Sequence, residues 1–162
     1  MAESVLYEER DGVALITINR PERLNTLTVE VIQGVADGVE QATSASDVAS
    51  IVLRGAGNNI SAGYDLDEFI TNAAREEEEV WDPVADYQSM AANVRRFMKI
   101  WECPKPVIGE ISGWALGGAT DLILCADLLF MASSAQIGYA PSRIYGTPTT
   151  MMWVHRIGLE HA

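Results

Sequence analysis

Basic residues are scarce in this chain: Lys and Arg number 11 against 23 Asp and Glu, for a formal net charge of −12. A chain so acidic lacks the cationic surface that holds nucleic acid or an anionic membrane. Long apolar runs are missing too, and none approaches the span of a membrane helix. Residues 1–10 are acidic and alternating, unlike a signal or transit peptide. Cysteine is limited to Cys103 and Cys125, without CxxC or metal-ligand spacing, so two buried thiols are expected. By elimination these absences imply a cytoplasmic protein, and nothing in the sequence implies a metal or redox cofactor. What remains, 162 residues of 48% hydrophobic content, suffices for one domain with its own core.

Strand-like and helix-like stretches alternate along the chain. Residues 5–8 and 13–19 read as strands joined by Asp11-Gly12, a hairpin turn signal. Thr28 precedes a helix with apolar positions Ile32, Val35, Val39 and Ala42 on one face. Residues 51–54 form a short buried strand. Asp65 and Glu68 have capping-box spacing, which predicts a helix over 66–73. Met90, Val94, Phe97 or Met98, and Trp101 mark a second amphipathic helix ended by Pro104. A strand at 107–111, a turn at 113–118, a helix to about 126 and a strand at 128–132 follow. An extended piece comes at 136–138, and Thr149 is expected to cap a last helix that Gly158 stops. Recurring strand–turn–helix units imply an α/β layered fold.

Two glycine-bearing runs stand out, Ser61-Ala62-Gly63-Tyr64-Asp65 and Gly113-Trp114-Ala115-Leu116-Gly117-Gly118-Ala119-Thr120-Asp121. Each follows a strand-like stretch and leads into a helical pattern. Small residues there leave backbone N–H groups uncovered, and two such groups from separate loops could converge on one oxygen and stabilise negative charge. Either run alone reads equally well as an ordinary strand-to-helix turn.

Their order and surroundings are more specific. Asn19-Arg20-Pro21-Glu22-Arg23-Leu24-Asn25-Thr26-Leu27 comes first, then Ile51-Val52-Leu53-Arg54-Gly55 leading to the first turn. Lys105-Pro106-Val107-Ile108 leads to Ala115-Leu116-Gly117-Gly118, followed by Cys125-Ala126-Asp127. The whole resembles the crotonase family, the enoyl-CoA hydratase/isomerase superfamily. That resemblance implies a crotonase-like core of repeated ββα units over residues 1–162, lacking the family's C-terminal helical region. It implies an acyl-CoA thioester as partner, with coenzyme A as part of the substrate, and a homo-oligomer (trimer or dimer of trimers) when the C-terminal region is present. Nine of the 23 acidic residues lie between Asp65 and Asp86, including the run Glu76-Glu77-Glu78-Glu79, a solvated helix face or loop. Arg20 and Arg23 sit apart from it, so the global charge does not bar a phosphate-bearing ligand.

Residue by residue, Gly118 and Tyr64 match the positions whose backbone N–H groups form the family's oxyanion hole; of Tyr64 only the N–H is required. Asp121 matches the acid/base glutamate of hydratases, one methylene shorter, and it also suits a helix-start carboxylate. The second hydratase glutamate follows a Phe-Gly-like strand that Ile137-Gly138 resembles, and here Pro141 or Ser142 stands at its position, depending on the alignment. Neither can activate water as a carboxylate does. Ala62, Gly63, Asp65 and Leu66 match one substrate-facing segment, with Asp65 the better helix cap. Arg23, Leu24, Asn25 and Thr26 match the other; Leu116 and Gly117 belong to the second turn. Trp114 lines the acyl pocket or packs in the core. Ser142 has no sequence-adjacent base, and His155 lies more than a helical turn beyond it, so a serine-hydrolase triad is not expected. The reading is a lyase or isomerase of fatty acid metabolism acting on acyl-CoA, the alternative a non-catalytic acyl-CoA-binding or assembly subunit. Met151, Met152, Trp153 and Ile157 on the last helix are expected to lie exposed or to need a partner.

Overall fold

Asp11 and Gly12 both hold positive φ (50° and 80°), the twist-matched conformation of a two-residue hairpin turn. They join β1 (Val5–Arg10) to β2 (Val13–Ile18), antiparallel with Val5 opposite Ile18. The structure, a computed structural model, describes residues 3–68, 82–143 and 146–162. Thr28 caps α1 (Val29–Ser44), its hydroxyl accepting from the Val31 N–H at 3.2 Å. The four apolar positions expected to face inward are buried, with Val31 and Ala36 beside them. Burying each of the Val and Ile side chains among them contributes roughly 1.5–3 kcal/mol. The helix lies so close to the sheet that a Cβ at Gly38 would be 3.2 Å from Ile16 Cδ1.

β3 (Ser50–Gly55), β4 (Val107–Ile111) and β6 (Leu128–Met131) continue the sheet in parallel, in the order β1-β2-β3-β4-β6. Register puts Ala14, Ile51 and Val107 in one row and Ile16 and Leu53 in the next, all buried on the face that meets α1. On the opposite face the row Leu15, Val52, Ile108 and Leu128 runs from half-buried to exposed. α2 (Pro83–Trp101), capped by Asp82, packs on α1.

The buried stripe of α2 is rotated from the one its apolar residues predict. Asn93, Phe97 and Ile100 are buried, whereas Met90 and Trp101 are exposed. A polar network draws Asn93 inward: Arg96 donates to Asn93 Oδ1 at 3.2 Å and to Gln33 Oε1 of α1 at 2.6 Å. Trp101 instead meets His155 edge-on, with ring centroids 4.8 Å apart.

Part of the predicted turn at 113–118 is a strand. β5 (Trp114–Leu116) pairs in parallel with β7 (Gln136–Gly138) in a second, two-stranded sheet, and Ser61 joins that layer by a bridge to Ala115. The repeat is then visible: β4, β5 and α3 (Gly118–Ile123), and β6, β7 and α4 (Met152–Ile157), are two ββα units. In both, the first strand joins the large sheet and the second the small one.

Several terminal details differ from expectation. Met151, not Thr149, occupies the N-cap of α4, because Thr149 and Thr150 turn toward Asp121. Met152 is buried by the chain's own core, and Trp153 is half-buried with its Nε1 donating to Thr120 Oγ1 at 3.1 Å. The exposed apolar side chains nearby are Met151, Ile157 and Leu159, and on β6 Leu128, Phe130 and Met131. Cys125 is buried as expected, but Cys103 is only half-buried beside Thr43. Of the helix expected over 66–73, residues 66–68 are helical and the remainder lies outside the described residues, as does the run 76–79. Among the described residues no helix is long and apolar enough to cross a membrane.

Candidate functional site

Ser61, Ala115 and Ile137 lie side by side in three parallel segments. The Ser61 N–H donates to Trp114 O and the Leu116 N–H to Ser61 O, both at 3.1 Å. Tyr64 is three residues beyond Ser61, and Gly118 three beyond Ala115. Equal spacing from one row brings the two turns together. A Cβ at Gly63 (φ 98°) would lie 2.7 Å from Leu116 O and 3.6 Å from Gly118 N, so only glycine fits there.

The backbone N–H groups of Tyr64 and Gly118 have no hydrogen-bond partner among the described residues. For Gly118 the reason is its place as first residue of α3. For Tyr64 it is the pleat. Its neighbours face Leu27, with the Leu27 N–H donating to Gly63 O at 2.8 Å and the Asp65 N–H to Leu27 O at 3.0 Å, so the intervening amide points the other way. The side chain of Tyr64, for which sequence reasoning assigned no part, lies with its ring against the α-carbon of Gly118.

Asp121 stands in the first turn of α3 and is wholly buried. Its Oδ1 accepts from both the N–H and the hydroxyl of Thr150 at 3.1 Å, while Oδ2 has no partner among the described residues. Burial raises its pKa, and the bonding groups of Thr150 and Thr149 only partly oppose that. Its field also reaches Tyr64 and Tyr139: burial first, then the nearby Asp121 charge, pushes both phenols above their ordinary range. Burial and the same carboxylate push the Cys125 thiol up to about 12. The three-residue spacing thus sets Asp121 beside the Tyr64–Gly118 contact. Thr149 and Thr150, which hold it, were not foreseen as site residues, since they lie 28 and 29 positions away.

At the position of the second carboxylate, residues 140–143 make a 3-10 turn. The ring of Pro141 lies 3.9 Å from where a Gly117 Cβ would stand, whereas Ser142 is exposed and its hydroxyl donates to Tyr139 O at 2.8 Å.

The two segments expected to face substrate do meet, Ala62 N–H donating to Leu24 O at 3.0 Å. Several of their side chains serve the scaffold. Asn25 is buried with φ 55°, donating to Ala56 O and Asn59 O and accepting from the Arg20 N–H. Asp65 Oδ2 accepts from the Thr26 hydroxyl at 2.8 Å and from Arg20 at 3.0 Å. Burial works to raise the Asp65 carboxyl, but hydrogen bonds from Thr26, Arg20 and the Glu68 N–H, with the Arg20 charge, outweigh it and lower the pKa to about 2. The cap expected at Asp65 forms in one direction only. The Glu68 N–H donates to Asp65 Oδ1, but the Glu68 carboxylate accepts from the Val29 N–H, satisfying the start of α1 instead. Arg23 pairs with Asp67 and, at 3.6 Å, with Asp65. Leu24, Leu66 and Trp114 are exposed, which places Trp114 outside the core. No three His, Cys, Asp or Glu side chains gather as metal ligands among the described residues.

A two-sheet α/β layering with paired backbone donors at the ends of parallel segments points to one class of protein, and comparison with known proteins agrees. The family model for enoyl-CoA hydratase/isomerase matches residues 8–162, and the chain belongs to that family. It is 31% identical over 149 residues to 1,2-epoxyphenylacetyl-CoA isomerase of Escherichia coli, covering 89% of this chain and 53% of the relative. It is 28% identical over 137 residues to crotonyl-CoA hydratase of Syntrophomonas wolfei, covering 84% and 49%. A crystal structure of an enoyl-CoA hydratase from Mycobacterium smegmatis superimposes with a TM-score of 0.87 at 37% identity, covering 97% of this chain and 56% of that one. The chain thus spans about half the length of the relatives it matches.

Proposed function

We propose that this chain binds an acyl-CoA thioester and stabilises the oxyanion that forms at its carbonyl, with the N–H groups of Tyr64 and Gly118 as donors. The register that puts both amides three residues beyond one row carries this reading. Backbone donors fixed in this way need no reorganisation when negative charge develops, and losing one such donor typically costs about 10²–10³ in kcat. Charge that grows on the oxygen as the α-proton leaves is held more tightly than the ground state, the condition for catalysis.

Asp121 is the proton-transfer group in this reading. Burial raises its pKa above the ordinary carboxylate value, which makes it a stronger base toward a proton on carbon. With Pro141 and Ser142 at the second position, the site favours single-carboxylate chemistry, in which one group removes a proton from carbon and returns it to another carbon. The relatives named above include both an isomerase and a hydratase, so family membership leaves the reaction open. The test is Asp121→Asn in the full-length protein against a panel of enoyl- and 3-oxoacyl-CoA thioesters. Loss of turnover with binding retained supports the reading; absence of turnover by the unaltered protein across the panel overturns the catalytic part of it.

A further inference from the structure

The peptide group between Gly117 and Gly118 carries the Gly118 N–H, and it is the one Gly-Gly step among the 162 residues. With no Cβ on either side, such a step turns freely, and nothing intrinsic keeps its N–H on one side. Gly117 holds φ 54° and ψ −127°, the mirror image of an ordinary extended residue. Its own N–H is tied to Gly138 O at 3.0 Å, so the direction of the next amide depends on what holds the Gly117 carbonyl.

Thr120 holds that carbonyl twice. Wholly buried in the first turn of α3, it donates to Gly117 O through its N–H at 2.9 Å and through its hydroxyl at 2.7 Å. Threonine hydroxyls often bond back to nearby carbonyls, but here a second residue enforces the direction. Trp153 Nε1 lies 3.1 Å from Thr120 Oγ1, and an indole N–H only donates. The hydroxyl therefore accepts from Trp153 and sends its proton to Gly117 O. A chain of bonds runs from the Trp153 indole through the Thr120 hydroxyl to the carbonyl whose peptide partner is the Gly118 N–H. Bonds in such a chain polarise one another, each strengthening the next by roughly 10–30%. The other donor is held by backbone alone: the carbonyl of its peptide group, Gly63 O, accepts from the Leu27 N–H at 2.8 Å.

We propose that Thr120 and Trp153 are positioning residues for the Gly118 amide, fixing its direction and strengthening it as a donor to the oxyanion. The oxyanion as target rests on the acyl-CoA reading above; the hold on the peptide group does not. α4 and the residue before its cap then serve both halves of the site, since Thr150 holds Asp121 and Trp153 holds Thr120.

Two measurements on the full-length protein test this. In the free protein, labelling glycine with ¹³C at its carbonyl and with ¹⁵N makes the Gly117–Gly118 peptide visible by NMR as a directly bonded pair. Thr120→Val is expected to move the Gly117 carbonyl and Gly118 nitrogen signals upfield, and Thr120→Ser to restore both. Trp153→Phe, which keeps a packed ring, should move them the same way by less. In the complex, butyryl-CoA labelled with ¹³C at its carbonyl is read by isotope-edited infrared spectroscopy. Its carbonyl stretch should fall on binding, and that fall should shrink by at least roughly 10–30% in Thr120→Val and recover in Thr120→Ser. Variants that lose thermal stability while both signals keep their unaltered positions overturn the proposal. A Trp153→Phe protein indistinguishable from the unaltered one in both measurements overturns it too. NMR shifts as expected, with no fall of the carbonyl stretch in the unaltered protein, refute the oxyanion reading and leave the hold on the peptide group standing.

Discussion

The ring of Tyr64 rests on the α-carbon of Gly118, so closely that a methyl group there would come within 2.4 Å of Tyr64 Cε2. Two turns more than fifty residues apart are thereby locked to each other by a side chain as well as by the adjacent backbone. Gly118→Ala must push the ring aside, at a cost of about 1–3 kcal/mol. Because the obstacle is a side chain, Tyr64→Ala should relieve it. A double-mutant cycle by denaturant unfolding is expected to show coupling of at least about 1 kcal/mol.

Gly63→Ala is expected to be worse. Its Cβ would meet the backbone oxygen of Leu116 at 2.7 Å, and φ of 98° strains any other residue. A loss above about 3 kcal/mol is expected, read as a lowered thermal midpoint, and no change at Tyr64 should rescue it.

Asp65 governs an acid limb of stability. Its folded pKa of about 2 lies below the ordinary 3.8, so the folded state binds this proton less readily than the unfolded chain. The stabilisation is present above about pH 4 and lost as pH falls toward 2, amounting to about 2–3 kcal/mol. Asp65→Asn should flatten that limb in urea titrations between pH 5 and about 2, and Thr26→Val should shrink it.

Asp121 acts with the opposite sign. Its folded pKa is raised, so the folded state holds the proton more tightly than the unfolded one. That contribution is full below the unfolded value of about 4 and is lost as pH rises through the raised folded value. Asp121→Asn keeps an acceptor for Thr150 and should remove this loss, making stability less dependent on pH above about 4. Steeper decline in the variant would contradict the burial argument.

Hydration of crotonyl-CoA is expected to be weak. One positioned acid–base group typically contributes about 10²–10⁴-fold, and Pro141 or Ser142 stands where the resemblance puts the second carboxylate. Steady-state rates equal to those of two-carboxylate relatives would reveal a base elsewhere.

Much of this arrangement was legible in the residues themselves. The Asp11-Gly12 turn signal beside a β-rich stretch marked β1 and β2, the spacing of Ile32, Val35, Val39 and Ala42 marked the inner face of α1, and the order of the motifs marked the family. What stayed hidden depends on partners distant in the chain. The stripe of α2 turned because Gln33 offers Arg96 an acceptor and Asn93 follows inward. Residues 114–116 became a strand because Gln136 to Gly138 pair with them. Glu68 abandoned its own cap for the Val29 N–H of another helix, and Thr149 left its helix for the neighbourhood of Asp121. In the candidate site, the turns could be read from their glycines, but the contact of Tyr64 with Gly118 and the hold of Thr150 on Asp121 could not.

Counting, rather than chemistry, governs how such a pair of amides can be altered. Every residue except proline carries an N–H, so position 64 tolerates new side chains at the level of the donor itself. Adding or deleting one residue between 61 and 64, or between 115 and 118, would instead slide one donor along its chain by about 3.3 Å and turn it to the other side. The three-residue interval beyond the shared row is therefore closed to insertion if the two donors are to stay together. Side-chain identity at its ends is set instead by the contact of the Tyr64 ring with the Gly118 α-carbon.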